Sequence, residues 1–249
     1  MTELIKTGIE GLDAMLNGGF PRGSTILLSG KIGTGKTVFG MQFLYCGATK
    51  YNEPGVFVTV DERPEDLRRE MLNFGWNVAE LEKKGKLAII DVSSLVAELP
   101  SKEKYKVVGE LSIDNVVSSI IDVVNSLGAK RLVFDSIPAL AIQTNIESLR
   151  KLLYRLSNLL LSLGCASILT TEIDEASRNI SKYGVEEFLV RGVIVLDLIE
   201  DARGTVTRTI KIRKMRELEH DLNRRPMHIT SEGVVIYHSE KVFADESEF

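Results

Sequence analysis

Cysteine is scarce in this chain, with only Cys46 and Cys165 among 249 residues. Each lies inside an apolar stretch, without the paired spacing of a metal site or a secreted disulfide framework. Both therefore read as buried thiols in a reducing cytosol, and the expected location is cytoplasmic. A basic excess is lacking as well: 31 Lys and Arg stand against 35 Asp and Glu, a formal net charge of -4. That excludes a global positive field for nucleic acid, so any polyanion site must be local. No apolar run has membrane length. The most apolar stretch, residues 159–169, is short and broken by Ser162 and Gly164, and the opening MTELIKTGIEGLD lacks the apolar core of a signal peptide. No membrane partner is expected. Internal repeats and low-complexity segments are also missing. What is present, 44% hydrophobic and 27% charged residues, suits one compact globular domain or at most two small ones.

Apolar runs alternate with amphipathic stretches: TILLS at 25–29, a helical stretch from Lys36 to about Lys50, GVFVTV at 55–60, then a helix opening at Pro64. KLAIIDV at 86–92, a helix from about Ser112 to Leu127, RLVFD at 131–135, a helix from about Ile146 to Leu163 and CASILTT at 165–171 continue the pattern. Such continuous apolar runs are strands buried on both faces of a mostly parallel sheet, which makes the fold class α/β. After Gly192 the runs VIVLDLI, TVTRTIKIR, MHIT and VVIY follow one another directly, as antiparallel C-terminal strands would. The polar stretch Pro100 to Lys106 reads as a long mobile loop, and ADESEF as a frayed acidic tail.

The strongest local signal is Gly30, Lys31, Ile32, Gly33, Thr34, Gly35, Lys36 and Thr37, an unbroken GxxxxGK[ST] between a strand and a helix. Glycines let successive backbone N–H groups turn inward around a phosphate. The helix that follows, with Val38 in its first turn, adds unsatisfied N–H groups and a positive dipole end. Lys36 is placed to reach the β and γ phosphates of ATP, and Thr37 to supply a hydroxyl to Mg2+. The second group that orders the metal is expected as an acid ending a buried strand, and RLVFD supplies Asp135. Hydrolysis further requires a group that orients or deprotonates water. Asp61 and Glu62, directly after GVFVTV, are candidates, although adjacent acids also suit a solvated helix start before Pro64, Glu65 and Asp66. Thr170, Thr171 and Glu172 end another strand, where Thr171 is a candidate γ-phosphate contact and plain strand termination serves equally well.

With these residues in place, the chain resembles the KaiC branch of the RecA superfamily. TGIEGLDAMLNGGFPRGS, the P-loop followed by MQFLYCG, GVFVTVDERPEDL, YGVEEFLVRGVIVL and RTIKIRKMRELEH carry the resemblance in the family's order. It implies a RecA-like P-loop NTPase core and a single domain over 1–249, with an N-terminal segment 1–24, a core 25–199, a β extension 200–240 and a tail 241–249. It implies that Glu62, with Asp61 beside it, holds the attacking water of an ATPase. It also implies a homo-oligomeric ring, hexameric by resemblance, with ATP between subunits and a Lys-x-Arg element, here Lys214 and Arg216, pointing into the neighbour's site. A cation entering in this way neutralises charge on the transferred phosphoryl group.

Two departures from the family stand near that element. Glu217, Leu218 and Glu219 precede His220 where Gly and a small hydroxyl residue are common, and Arg191 stands where an acid is frequent. The chain also has one RecA-like unit instead of the clock protein's tandem pair, and no counterpart of its regulatory phosphorylation site, so no circadian role follows and no autokinase residue is assigned.

Residues 203–225 hold eight Lys or Arg against three acids. This strip either faces ATP at a subunit interface, holds single-stranded DNA or RNA in a ring's pore as recombinases do, or is a solvated β-ribbon. The near absence of aromatics for base stacking lowers the second, and the first is the preferred reading. A low-turnover ATP switch for a protein client is the remaining alternative to an ATPase, and no client is named by the sequence. His220 alone assigns no ligand role, and Trp76 reads as packing.

Overall fold

The computed structural model describes residues 3–141, 146–174, 179–201 and 203–242. In chain order the elements are β1 (Leu4–Ile5), α1 (Leu12–Met15), β2 (Phe20–Pro21), β3 (Thr25–Gly30), α2 (Lys36–Lys50), β4 (Gly55–Thr59), α3 (Pro64–Leu72) and α4 (Val78–Lys83). They continue with β5 (Leu87–Asp91), α5 (Ser93–Val96), β6 (Tyr105–Lys106), α6 (Ile113–Leu127), β7 (Arg131–Asp135), α7 (Ile137–Ala141) and α8 (Ile146–Ser162). The last are β8 (Ala166–Glu172), α9 (Glu186–Leu189), β9 (Gly192–Glu200), β10 (Val206–Met215), β11 (Arg225–Thr230) and β12 (Gly233–Ile236). The long strands and helices fall within a residue or two of the positions set by the apolar rhythm. No helix among the described residues is long and apolar enough to cross a membrane.

Ten strands form one sheet in the order β12-β11-β10-β9-β3-β8-β7-β4-β5-β6. From β9 to β6 neighbouring strands run parallel, and β10, β11 and β12 add to the β9 edge antiparallel. The central parallel strands are largely apolar because each face is covered by helices. Alternate residues divide between two cores: in β7, Val133 packs with Phe39, Phe43, Phe57 and Ile168, while Leu132 and Phe134 pack with Val116, Ile120, Leu153 and Leu160. That is the period of two expected of a strand. Helix α6 starts where the Ser112 side chain accepts from Asn115 N at 3.2 Å and stops at Gly128 in the left-handed region, φ 62°.

Arg131 is fully buried at the foot of β7. It pairs with Glu53 at 2.5 Å, donates to the carbonyls of Lys6 and Phe43 at 2.7 and 2.9 Å, and lies 4.6 Å from the Phe43 ring centre. A buried guanidinium is tolerable only with its donors satisfied, and here this satisfaction fastens the N-terminal segment to the sheet. At the other end of the chain, the Gln42 amide on α2 bonds both Val234 O and Val234 N, at 3.1 and 2.6 Å, and so holds the β11–β12 hairpin over the helix.

The segment Pro100 to Lys106 departs from the expected free loop. Tyr105 and Lys106 pair with Ile90 and Asp91 as an edge strand, Ser101 Oγ donates to Asp91 at 2.5 Å, and Glu103 binds the Arg68 guanidinium at 2.6 and 2.8 Å. Its polarity reflects charged and hydroxyl anchoring to distant residues, which the local pattern does not display. Trp76 is packed as expected, stacked on Tyr45 and Phe74. Both cysteines are free and buried. Residues 243–249 of the expected acidic tail lie outside the described residues.

Candidate nucleotide site

Parallel strands aim their C-terminal ends at one edge of the sheet, and in such folds ligands bind there. Four adjacent strands bring the candidate residues to this edge. Gly30 at the end of β3 pairs with Glu172 at the end of β8, and Asp135 at the end of β7 pairs with Thr59 at the end of β4, two residues before Asp61. The loop between β3 and α2 has Gly33 at φ 77° and Gly35 at φ 96°, conformations that a side chain would strain. Thr34 is buried and its hydroxyl donates to Lys31 O at 2.8 Å, bracing the loop from inside. The Lys36 ammonium folds back to donate to Gly30 O and Lys31 O at 2.9 and 3.0 Å. Burial lowers its pKa, against the pull of Glu172, Asp135 and Asp61.

These elements enclose a cavity of about 280 Å³ lined by Gly33, Lys36, Thr37, Glu62, Asp135 and Glu172 among others. Ile32 and Val38 belong to the lining as well, with Ile32 74% exposed at the loop tip. Thr37 Oγ1 donates to Asp135 Oδ2 at 2.7 Å, and the Thr170 hydroxyl donates to the other Asp135 oxygen. Ser136 Oγ donates to Asp61 at 2.6 Å. The Glu62 carboxyl is pushed up to about 7, first by burial and then by the carboxylates of Glu70 and Asp135. Its Oε1 atom is buried without a hydrogen-bond partner among the described residues.

Three features of this edge escape the sequence pattern. Thr171, a candidate phosphate contact, turns its hydroxyl away to Glu186 at 3.1 Å, and Glu172 lines the cavity beside it. Ser136 enters through its bond to Asp61. Arg208, on β10, reaches the loop in cis, its Nε donating to Gly33 O at 3.2 Å. The first two follow motif residues directly in sequence, and that adjacency is the one signal that could have singled them out.

Lys214 and Arg216 lie elsewhere. Met215 pairs with Gly192, which pairs with Ile26 near the start of β3, whereas Gly30 pairs with Leu196. The two cations therefore sit at the opposite end of the sheet, at least about 13 Å along the strands from the chain's own loop. Lys214 Nζ donates to Glu187 O and Val190 O at 3.0 and 2.6 Å. Arg216 borders a cavity of about 230 Å³ with Arg191, Tyr154, Leu161 and Phe188, the last 69% exposed. The two sequence departures meet here: the guanidinium of Arg191 binds the carboxylate of Glu217, which stands in the left-handed region at φ 70°. Elsewhere in the basic strip, Arg224 pairs with Asp197 at 2.9 Å and Arg225 with Asp221 at 2.6 Å.

A doubly covered, mostly parallel sheet with a glycine cradle at its C-terminal edge and antiparallel strands beyond defines a RecA-like nucleotide-binding fold. The family profile described as "ATPase: KaiC" matches residues 5–241, so the chain belongs to the KaiC family of ATPases. A UPF0273 protein of Methanocaldococcus jannaschii is 38% identical over 234 residues, 94% of this chain and 96% of that protein. The circadian clock oscillator protein KaiC of Parathermosynechococcus lividus is 38% identical over 93% of this chain, which spans 42% of that protein. Among solved structures, a KaiC-like protein of the hyperthermophilic archaeon Pyrococcus horikoshii has a TM-score of 0.82 and 44% identity over 95% of this chain and 100% of that one.

Proposed function

We propose that this chain is a Mg2+-dependent ATPase acting as a homo-oligomeric ring, with each ATP held by one subunit's P-loop and completed by Lys214 and Arg216 of the next. The carrying observation is the triad of functions at one edge: a phosphate cradle with Lys36, a hydroxyl and carboxylate 2.7 Å apart at Thr37 and Asp135, and a carboxyl poised near neutrality at Glu62. Hard oxygen donors of this kind suit Mg2+, which Thr37 and Asp135 would hold either directly or through water. The metal would supply charge neutralisation on the phosphates. The loop amides and Lys36 orient the triphosphate. Glu62 accepts the proton of water as its oxygen bonds to the γ phosphorus, and the ADP oxygen leaves with the electron pair of the broken P–O bond. Ser136 fixes Asp61 beside Glu62.

The trans assignment is supported by position. Lys214 and Arg216 are too far along the sheet to serve their own cradle, and Arg216 borders an exposed apolar surface formed by Tyr154, Leu161 and Phe188. Exposed apolar clusters with a charged rim suit protein contacts. Internal pairing of Arg224 and Arg225 and the attachment of Arg208 to the loop divide the basic strip, which weakens the case for a nucleic-acid groove. The test mixes Lys36→Ala subunits with Arg216→Ala subunits. Each is inactive alone, and mixed assemblies regain ATPase activity because some interfaces join an intact cradle to an intact Arg216. No recovery in demonstrably mixed assemblies would overturn the trans assignment.

A further inference from the structure

Between the two ends of the sheet runs a segment whose anchoring is unusual for a surface connection. Glu186 opens α9, a single short turn, yet its carboxylate is completely buried. It accepts from Thr171 Oγ1 at 3.1 Å, Val185 N at 3.1 Å and Tyr183 N at 3.2 Å, and it shares the one Ser181 hydroxyl proton, 2.8 Å away, with the Glu187 carboxylate. A buried carboxylate needs such donors, and losing one leaves it poorly compensated, which ties the positions of the groups around it to one another. Thr171 belongs to β8 and directly precedes Glu172, which lines the phosphate cavity. The same segment is tied to the strand that leads into the P-loop, where the Ser29 hydroxyl donates to Ile180 O.

At its far end, the segment holds the cation pair. Glu187 O and Val190 O take two of the three Lys214 ammonium protons, leaving one direction for a further acceptor. Arg216 N donates to Arg191 O at 2.9 Å, and the Arg191 side chain binds Glu217, whose left-handed backbone turns the chain immediately after Arg216. Burial, and then the charge of Arg216, push the Lys214 pKa down, so the pair is held at some electrostatic cost that a phosphate would relieve.

We propose that Glu186 is a positioning residue that couples the state of a chain's own phosphate cavity to the placement of the Lys214–Arg216 pair it lends to its neighbour. Contacts made by a γ phosphate with the end of β8 pass through Thr171 to Glu186, from there to the carbonyls of Glu187 and Val190, and so to Lys214 and Arg216. The coupling rests on the trans assignment above and adds a consequence: filling one site alters the competence of the next, so hydrolysis around a ring is cooperative in ATP.

The test measures ATPase rate against ATP concentration for the wild type, Glu186→Gln and Ser181→Ala, with binding of a fluorescent ATP analogue and thermal melting alongside. The wild type is expected to give a Hill coefficient above about 1.5. Glu186→Gln, which removes the charge with little change in volume, brings it to about 1 while analogue affinity stays within about twofold. Ser181→Ala lowers it in the same direction and carries the test should Glu186→Gln not fold. A wild-type coefficient of 1, or unchanged cooperativity in the folded variants, overturns the coupling. An Arg216→Ala variant that hydrolyses at the wild-type rate would instead sink the trans assignment itself.

Discussion

The two ends of the central sheet are built on opposite plans. At the C-terminal end the functional groups satisfy one another within the chain: Thr37 with Asp135, Ser136 with Asp61, Lys36 with the loop carbonyls. At the N-terminal end Lys214 and Arg216 are steered by backbone carbonyls and by the Arg191–Glu217 pair, next to exposed Tyr154 and Phe188. One end closes a cavity with its own groups. The other leaves Arg216 beside an exposed apolar surface, which in the ring proposed above would meet a second copy.

The contrast can be broken most decisively at Arg216. Arg216→Ala is expected to lower kcat about 10³-fold, as loss of an inserted arginine does, while nucleotide affinity changes little. Steady-state ATPase assays beside equilibrium binding check this, and a large loss of affinity with normal kcat would place Arg216 in ground-state binding instead. Glu62→Gln should lower kcat by about 10²-fold or more and retain nucleotide, because a water-activating group acts only as the reaction proceeds.

The pH profile sharpens the same end. In the proposed role Glu62 would act as a base when ionised, and its carboxyl is raised to about 7, so kcat should rise about tenfold between pH 6 and 8 and level off above. The sign for stability is opposite: a carboxyl raised on folding favours the folded state below its unfolded pKa, and this contribution is lost as pH rises through about 7. Glu62→Gln should therefore melt at least as high as the wild type at pH 8, with its remaining activity flat in pH. The smallest effect is expected from Arg208→Ala. Removing its exposed bond to Gly33 O should weaken ATP affinity by a few fold and leave kcat nearly unchanged. A loss like that of Arg216→Ala would mean that the cradle end also depends on a catalytic cation of its own.

Most of the first end was legible in sequence because its chemistry is local. GKIGTGKT lies between a strand and a helix, and Asp135 and Glu62 each follow an apolar run, so strand tips could be assigned without knowing which strands are neighbours. The second end was not legible in the same way. That Arg191 and Glu217 compensate one another depends on the antiparallel register of β9 and β10, including a bulge between Ile212 and Lys214. Arg208 and Arg216 look alike in the basic strip, yet the run of β10 from one to just before the other carries them to opposite ends of the sheet. The anchoring of the Pro100–Lys106 loop is illegible for a related reason: Arg68, which binds Glu103, lies 35 residues away, and polarity alone does not reveal the bond of Ser101 to Asp91. Thr171 and Glu172 show the limit of strand-end reasoning, since alternation decides which of two adjacent polar residues faces the cavity.

Arg131 has a consequence for how the polypeptide is made. Its guanidinium donates to the carbonyls of Lys6 and Thr7, across separations of 125 and 124 residues. During synthesis at about 5–20 residues per second, the first residues must wait roughly 6–25 s before the group that receives them leaves the ribosome. The beginning of the chain thus gains this anchor only after β7 has been made, and a nascent chain halted before β7 would hold its leading end without it, by contacts such as the β1–β2 pairing and the Phe20–Phe43 contact.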